Sequence, residues 1–458
     1  MGFVDPTDSL WNATEAREGH LQALRDSLLP HPTFWLPVGE AIGLNLLVGT
    51  FNYLMGSEYA KISFETVAEN FKTGFTWDAD QFITNQFAHP YNGSLYHNFA
   101  RSLGYDYWAG LGTAAIGSFQ WEFFMENEPP AINDFIQTTV SGAALGEVLY
   151  RMSNMILDDR TTGSERVWRE IAAGLLTPTR AFNRLVYGLA WQTTEEQIYE
   201  RQPLSGLLAA GMNNIAEGVD FKNGNRNFLL TLDATYGRPF GRRTYKPFQF
   251  FRLQVGLNAG LEDTSDVYGI GHVHLYGILF GKIVDEGRSL ILGGFQNYDY
   301  MANPVYRLGA TSVAGGLLWR VPEWNSALTF QLGPILMGAA NSVYAEQYKV
   351  ASLDSSRDYN FGMGALTKIE GTWGISWMRL YVGYQLYWLH TLQGAPGDEF
   401  IGVWMPKVLF YPFGPWTVGL EWLLYHRRGL YHGLFPDIDL HNNEQRLFIG
   451  YTFGSSDP

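Results

Sequence analysis

The chain contains no cysteine in 458 residues. Disulfides and thiolate metal sites are therefore excluded, and the composition suits an oxidising envelope compartment. It also lacks a surplus of basic residues. The formal net charge is -14, with no basic cluster dense enough to follow a phosphate backbone, so nucleic acid is not an expected partner. A clean apolar span is missing as well. Trp35 to Met55 is apolar but carries Pro37, Glu40, Asn45 and Asn52, which suits a buried or interfacial helix better than a crossing one. The start, Met1-Gly2-Phe3-Val4-Asp5, shows no secretory signal, so an exported protein would be present as its mature form with an added Met.

What is abundant is aromatic residues (15 Trp, 26 Tyr, 30 Phe) and 51 Gly. From about residue 205 the apolar period becomes 2, the mark of strands with two unlike faces. In Phe251 to Glu262 every odd position is apolar and every even one polar or Gly. Phe228, Leu230, Leu232, Ala234 and Tyr236 oppose Leu229, Thr231, Asp233 and Thr235 in the same way, as do Met378 to Trp388 against Arg379, Gly383 and Gln385. The runs exceed the ~5–6 residues of globular strands and suit tilted strands crossing a bilayer of ~30 Å. Tyr298, Tyr300, Trp319, Trp324, Trp373, Trp377, Trp388, Trp404 and Trp416 cluster near run ends, where an interfacial girdle places such rings.

Read back from the C-terminus, Gly429–His441, Thr391–Asp398 and Asn341–Asp358 read as long loops and Pro412–Pro415 and Trp373–Ile375 as short turns. This is the alternation expected of outer-membrane barrels. The last run, Arg446 to Phe453, is similar to the terminal strand signal read by the outer-membrane assembly machinery, although Gly454 to Pro458 extends past it. The expected fold is an α+β membrane protein. A transmembrane antiparallel β-barrel of about twelve strands, from near Leu204 to Phe453 in a domain of residues 201–458, follows an N-terminal helical domain of residues 1–200.

Before residue 200, Val38 to Tyr53, Tyr105 to Met125 and Ile132 to Leu157 have a helical period. Gly39/Gly43 and Gly142/Gly146, each four apart, allow close helix approach. Glu147, Arg151, Asn154 and Asp158 form one polar stripe, and Glu122 and Glu126 share a face. The stretch Asn85 to Asn98 packs His89, Tyr91, Ser94 and His97 into what reads as a loop.

Asn85-Gln86-Phe87, His89-Pro90-Tyr91, Gly93-Ser94, Tyr96, Asn98 and Ala100-Arg101 resemble an uncharacterised bacterial family, domain of unknown function 3943. So do Gly117-Ser118, Trp121-Glu122, Glu126, Pro129, Asn133-Asp134, Gly146-Glu147 and Tyr150-Arg151. The resemblance spans about residues 60–165; where the family tends to have Ser after the proline and a Gly-Gly pair, this chain has Pro130-Ala131 and Ser141-Gly142. It implies an outer-membrane protein and no particular activity.

Three functional readings follow. In the first, Asn85, Tyr91, Ser94, Asn98, Arg101, Asn133, Glu147 and Arg151 form a polar network that only specifies packing, with Glu147–Arg151 an i,i+4 ion pair. In the second, a membrane-embedded enzyme acts on lipid or lipopolysaccharide, with His89 as general base, Glu122 or Glu126 as its partner and Asp134 as an orienting carboxylate. No Gly-x-Ser-x-Gly or His-Glu-x-x-His motif supports it, and neither a metal nor another cofactor is assigned. In the third, a lumen carrying Arg252, His272, His274, Arg379 and Glu421 serves transport. The expectation is an outer-membrane barrel with a structural, transport or scaffold role and its helical domain on the periplasmic side. Expected partners are membrane lipids, lipopolysaccharide, the assembly machinery and envelope proteins reached through that domain.

Overall fold

The computed structural model describes residues 6–28, 33–218, 224–241, 244–260, 268–285, 287, 289–303, 305–344 and 357–454. They form two compact units, Met1–Arg201 and Gln202–Pro458.

Unit two is a closed barrel. Its strands are β1 (Leu204–Glu217), β2 (Asn225–Tyr236), β3 (Phe251–Gly260), β4 (Tyr268–Ile283), β5 (Leu290–Ala302), β6 (Arg307–Val321) and β7 (Ser326–Asn341). They continue with β8 (Tyr359–Ile375), β9 (Met378–Gln393), β10 (Asp398–Phe413), β11 (Trp416–Leu430) and β12 (Ile438–Phe453). Each pairs antiparallel with its sequence neighbours, and β12 returns to β1 from Gly206↔Phe453 to Glu217↔Asn442. Closure removes every strand edge, which a membrane-spanning sheet requires. Strand lengths of 10 to 17 residues meet or exceed the ~9–11 needed to cross.

The alternation sorts side chains as the sequence suggests. Leu208, Met212, Phe228, Leu420, Leu447 and Ile449 are exposed on the outside, while Asp233, Glu370, Lys407 and Arg446 point into the lumen. Trp319, Trp324, Trp373, Trp377 and Trp416 are exposed where strands meet short turns. Tyr298 and Tyr300, read above as girdle residues, are buried instead. The turns at the end where β1 begins are short at 322–325, 376–377 and 414–415. Thr391–Asp398 is corrected from long to short, because β9 runs to Gln393 and β10 starts at Asp398. Part of the long loop after Asn341, residues 345–356, lies outside the described residues.

Unit one is helical: α1 (Pro6–Leu28), α2 (Trp35–Leu54), α3 (Phe64–Thr73), α4 (His89–Ser102), α5 (Tyr107–Phe124), α6 (Ile132–Ile136), α7 (Gly142–Ile156), α8 (Gly163–Leu176) and α9 (Pro178–Val186). Two π-helical turns, Thr84–Ala88 and Gln137–Ser141, lead into α4 and α7. Among the described residues no helix is long and apolar enough to cross a membrane. The His89 stretch is helix rather than loop. Pro90 occupies the first turn, where its missing N–H costs nothing, and Gly93 lets the backbone lie against its neighbour. A Cβ at Gly93 would sit 1.7 Å from the Thr138 carbonyl oxygen, and one at Gly142 2.5 Å from Gly93 Cα. Tertiary packing thus imposes a helix that local propensity does not favour.

Candidate functional site: a buried acid–histidine cluster and a filled lumen

The segment after α3 and the start of α6 meet through backbone pairing: Thr76 N–H donates to Pro130 O (2.7 Å) and Ile132 N–H to Thr76 O (3.0 Å). That pairing brings Asp78 beside Asn133, whose Oδ1 accepts from Asp78 N–H at 3.0 Å. Asn85 Nδ2 donates to Asp78 Oδ2 at 2.7 Å, and Asn133 Nδ2 to Asp134 Oδ1 at 2.7 Å. Asp134 Oδ1 lies 3.4 Å from His89 Nε2, whose other ring nitrogen is 3.4 Å from Thr138 Oγ1. On α5, Glu122 Oε2 accepts from Ala131 N–H at 2.8 Å, and Glu126 accepts from the Trp121 indole.

All four residues read as a catalytic set, His89, Glu122, Glu126 and Asp134, therefore belong to one region, with the partly buried Asp78 and the exposed Asp80 at its edge. Burial decides their protonation. It pushes Glu126 up to about 8, with Glu128, Asp78 and Asp80 adding to the rise against the Trp121 hydrogen bond. Burial and the Glu126 carboxyl raise Glu122, and burial with Asp78 raises Asp134. Burial, reinforced by Asp78, takes Asp80 up to about 6. His89 is driven down to about 4 by burial, against the pull of Asp78. Burial thus works against charge on both partners of the His89–Asp134 contact. Among the described residues no group of three or more His, Asp or Glu side chains is arranged to hold a metal ion.

A second network is ionic. Glu147 on α7 receives Arg101 Nε at 2.7 Å, Arg151 Nε at 2.9 Å and faces His97 Nε2 at 3.1 Å. Burial works to raise this carboxyl, but Arg101 and Arg151 outweigh it and hold it far below the usual range. Ser94, Asn98 and Gly146 form the seam behind it, with Asn98 Nδ2 donating to Ser94 O and Gly146 O at 2.9 and 3.2 Å. Tyr91 sits at the edge of this seam, half-exposed, its carbonyl accepting from Ser94 Oγ at 2.6 Å.

Sequence reasoning missed a third network, in which Arg166 and Arg184 both reach Asp159 (3.0 and 2.8 Å) and Glu170 (2.8 and 2.7 Å). The i,i+4 spacing of Arg166 with Glu170 and of Arg180 with Arg184 was its available signal.

The barrel interior is filled in layers. At the end where β1 begins, Phe240 and Phe250 from the segment between β2 and β3 pack with Tyr276, Ile278, Phe295 and Leu318. Above lies a charged layer. Arg252 bridges Asp233 (2.7 Å) and Glu370 (2.6 Å); Lys407 reaches Glu421 (3.3 Å), which binds Arg446 (3.1 Å). His274 meets Asp299 at 2.9 Å, and Lys368 meets the same carboxylate at 2.7 Å. Beyond it Tyr306, Tyr387, Leu389, Ile401 and Tyr425 close the core, and Arg427 pairs with Glu399 at 3.0 Å. Of the sequence-read lumen residues, Arg252, His272, His274 and Glu421 line this interior, and Arg379 lines a cavity of about 240 Å³ beside Arg252 and Tyr381. His272 stacks on His274 with ring centroids 5.4 Å apart.

Residues 74–179 match the family model described as domain of unknown function (DUF3943), a segment that carries the acid–histidine cluster and the Glu147 network but stops short of Arg184 of the third. No curated protein matches the chain. Among solved structures it is similar to an outer membrane channel from Pseudomonas putida F1, with 10% identity and a TM-score of 0.32 over 56% of this chain and 96% of that one. It is also similar to the outer membrane channel DcaP of Acinetobacter baumannii (10%, TM-score 0.25, 55% and 96%) and to an anion-selective porin from Comamonas acidovorans (7%, TM-score 0.26, 55% and 98%). By its own strand pairing, its apolar belt and its Trp girdle, the chain carries an outer-membrane β-barrel.

Proposed function

We propose that this barrel is closed and that the protein is a structural or scaffold component of the outer membrane, its helical domain on the periplasmic side. The observation that carries the reading is the lumen, where apolar and ion-paired layers follow one another, interrupted by the cavity of about 240 Å³ beside Arg379. Twelve strands would leave room for a pore if side chains did not fill it. The periplasmic assignment is supported by the short turns 322–325, 376–377 and 414–415, which share an end with the start of β1.

A transport role has one specific observation in its favour. Phe240 and Phe248, both buried in the segment that caps the lumen, have φ of 71° and 56°, and they lie in a conformation that disfavours large L side chains. Planar-bilayer recording separates the readings. A closed scaffold gives no steps for the intact protein or for Phe240→Gly. Conductance in the intact protein would overturn closure, and conductance only in Phe240→Gly would identify the segment as a gate. The acid–histidine cluster is read as structural, because His89, Glu122, Glu126 and Asp134 each have a partner within the domain.

A further inference from the structure

Two helices of the helical unit, α8 and α9, turn an apolar face outward and a charged one inward. On α8, Val167, Trp168, Ile171 and Leu175 are exposed, the last at 78%, and they share one face. The opposite face buries Arg166 in its contacts with Asp159 and Glu170. On α9, Phe182, Leu185 and Val186 are exposed while Arg180, Asn183 and Arg184 are buried. Arg180 sits 4.4 Å from the Tyr150 ring centroid, and Arg184 is bound to Asp159 and Glu170. Trp191 follows, 73% exposed.

On α2 the outward face is apolar as well, although its inner face is largely apolar too, with Pro37, Val38, Ala41 and Gly49 buried beside Asn45. Leu46, Leu47, Phe51 and Leu54 face outward, whereas Asn45 is buried and donates to Gly117 O at 2.9 Å. A body surrounded by water would place these faces the other way. Burying charge is unfavourable until the ions are paired, and large contiguous apolar patches are rare on soluble monomers.

From this arrangement we infer that the outward faces of α2, α8 and α9 lie in lipid, at the boundary between headgroups and acyl chains of the leaflet that β1 enters. The inference rests on the outer-membrane reading of the barrel. Two observations commit it to lipid rather than to a protein. Only Gln202 and Pro203 separate this unit from Leu204 of a membrane-spanning strand, so the faces are kept within reach of the bilayer. The rims carry Trp35, Trp168 and Trp191, whose rings prefer that depth. Because no described helix is long and apolar enough to cross, the mode is interfacial, about 5–10 Å into the boundary.

The absence of cysteine makes the test direct. Leu47→Cys, Leu175→Cys and Phe182→Cys are made in the full chain, each spin-labelled and reconstituted into phosphatidylethanolamine/phosphatidylglycerol vesicles. Lys72→Cys on α3 serves as the aqueous reference and Leu447→Cys on the outside of β12 as the lipid reference. Relaxation by oxygen, which partitions into lipid, is compared with relaxation by a water-soluble nickel chelate. The expected result is a severalfold higher oxygen-to-nickel ratio at 47, 175 and 182 than at 72, approaching that at 447. Ratios equal to that at 72 would overturn the inference, and so would shielding from both reagents, the mark of a protein partner or a second copy. If 447 itself behaves as aqueous, the barrel reading has failed and takes the inference with it; a lipidic 447 with aqueous 47, 175 and 182 sinks the inference alone.

Discussion

Glu147 is completely buried and meets two guanidinium groups, at 2.7 and 2.9 Å. Removing it leaves Arg101 and Arg151 without their shared counter-charge, which costs about 3–5 kcal/mol where such pairs have been broken. Glu147→Ala is expected to lower the denaturation midpoint of the helical unit, followed by far-UV circular dichroism in detergent, by more than any change at the exposed Glu69. Glu126 makes the opposite case. Its folded value of about 8 lies above the ordinary 4.5, so the folded state holds a proton that the unfolded chain releases. Its contribution to stability is complete below 4.5 and is lost as pH rises through about 8, with a slope of up to about 1.4 kcal/mol per pH unit. His89, lowered to about 4 from 6.5, works in reverse and adds stability between about 4 and 6.5. The two offset each other over that interval, so the net loss falls between about 6.5 and 8. Denaturant midpoints across pH 5 to 9 check it: Glu126→Gln is expected to flatten the decline above 6.5, and an unchanged slope would refute the assignment.

Elements differ in how much of them the sequence carried. The barrel was legible, with its strand count to within about two and its ends near Leu204 and at Phe453, because period-2 alternation is a local signal that tertiary context reinforces. The helices α2, α5 and α7 were legible for their apolar period. His89 to Ser102 was not, since Pro90, Asn92 and Gly93 read as turn residues; its helix depends on contacts 45 residues away that no window of the chain contains. The charged residues of α8 and α9 were passed over for a related reason, because an outward apolar face and an inward charged one look like an ordinary amphipathic helix until burial is known. Close approach at Gly93 gives a prediction at this scale. Gly93→Val would drive a side chain into the Thr138 carbonyl and Gly142, where a Cβ alone would sit 1.7 and 2.9 Å away. The cost expected from overpacking is about 1–3 kcal/mol or more, with loss of protease resistance in the helical unit and none in the barrel.

Across the whole barrel, the charged layer ties strands that are far apart in the chain. Arg252 on β3 holds Asp233 on β2 and Glu370 on β8, and Lys407 on β10 reaches Asp233 at 3.6 Å as well as Glu421 on β11. Ladder hydrogen bonds fasten each strand only to its neighbours, so these pairs brace the ring across its diameter. Arg252→Met would take the shared cation from Glu370 and leave Asp233 only Lys407 at 3.6 Å, whereas Arg252→Met combined with Asp233→Asn and Glu370→Gln would remove charge from both sides. The expected order in a heat-modifiability gel follows: the compact, faster-running unboiled band persists to the highest temperature for the intact protein, to a lower one for the triple variant, and to the lowest for Arg252→Met. Partial rescue by the triple variant is the decisive part, since breaking one partner of a buried pair costs more than replacing the group together. If Arg252→Met melted with the intact protein, the charged layer would be filler, and closure of the lumen would rest on the aromatic layers at its two ends.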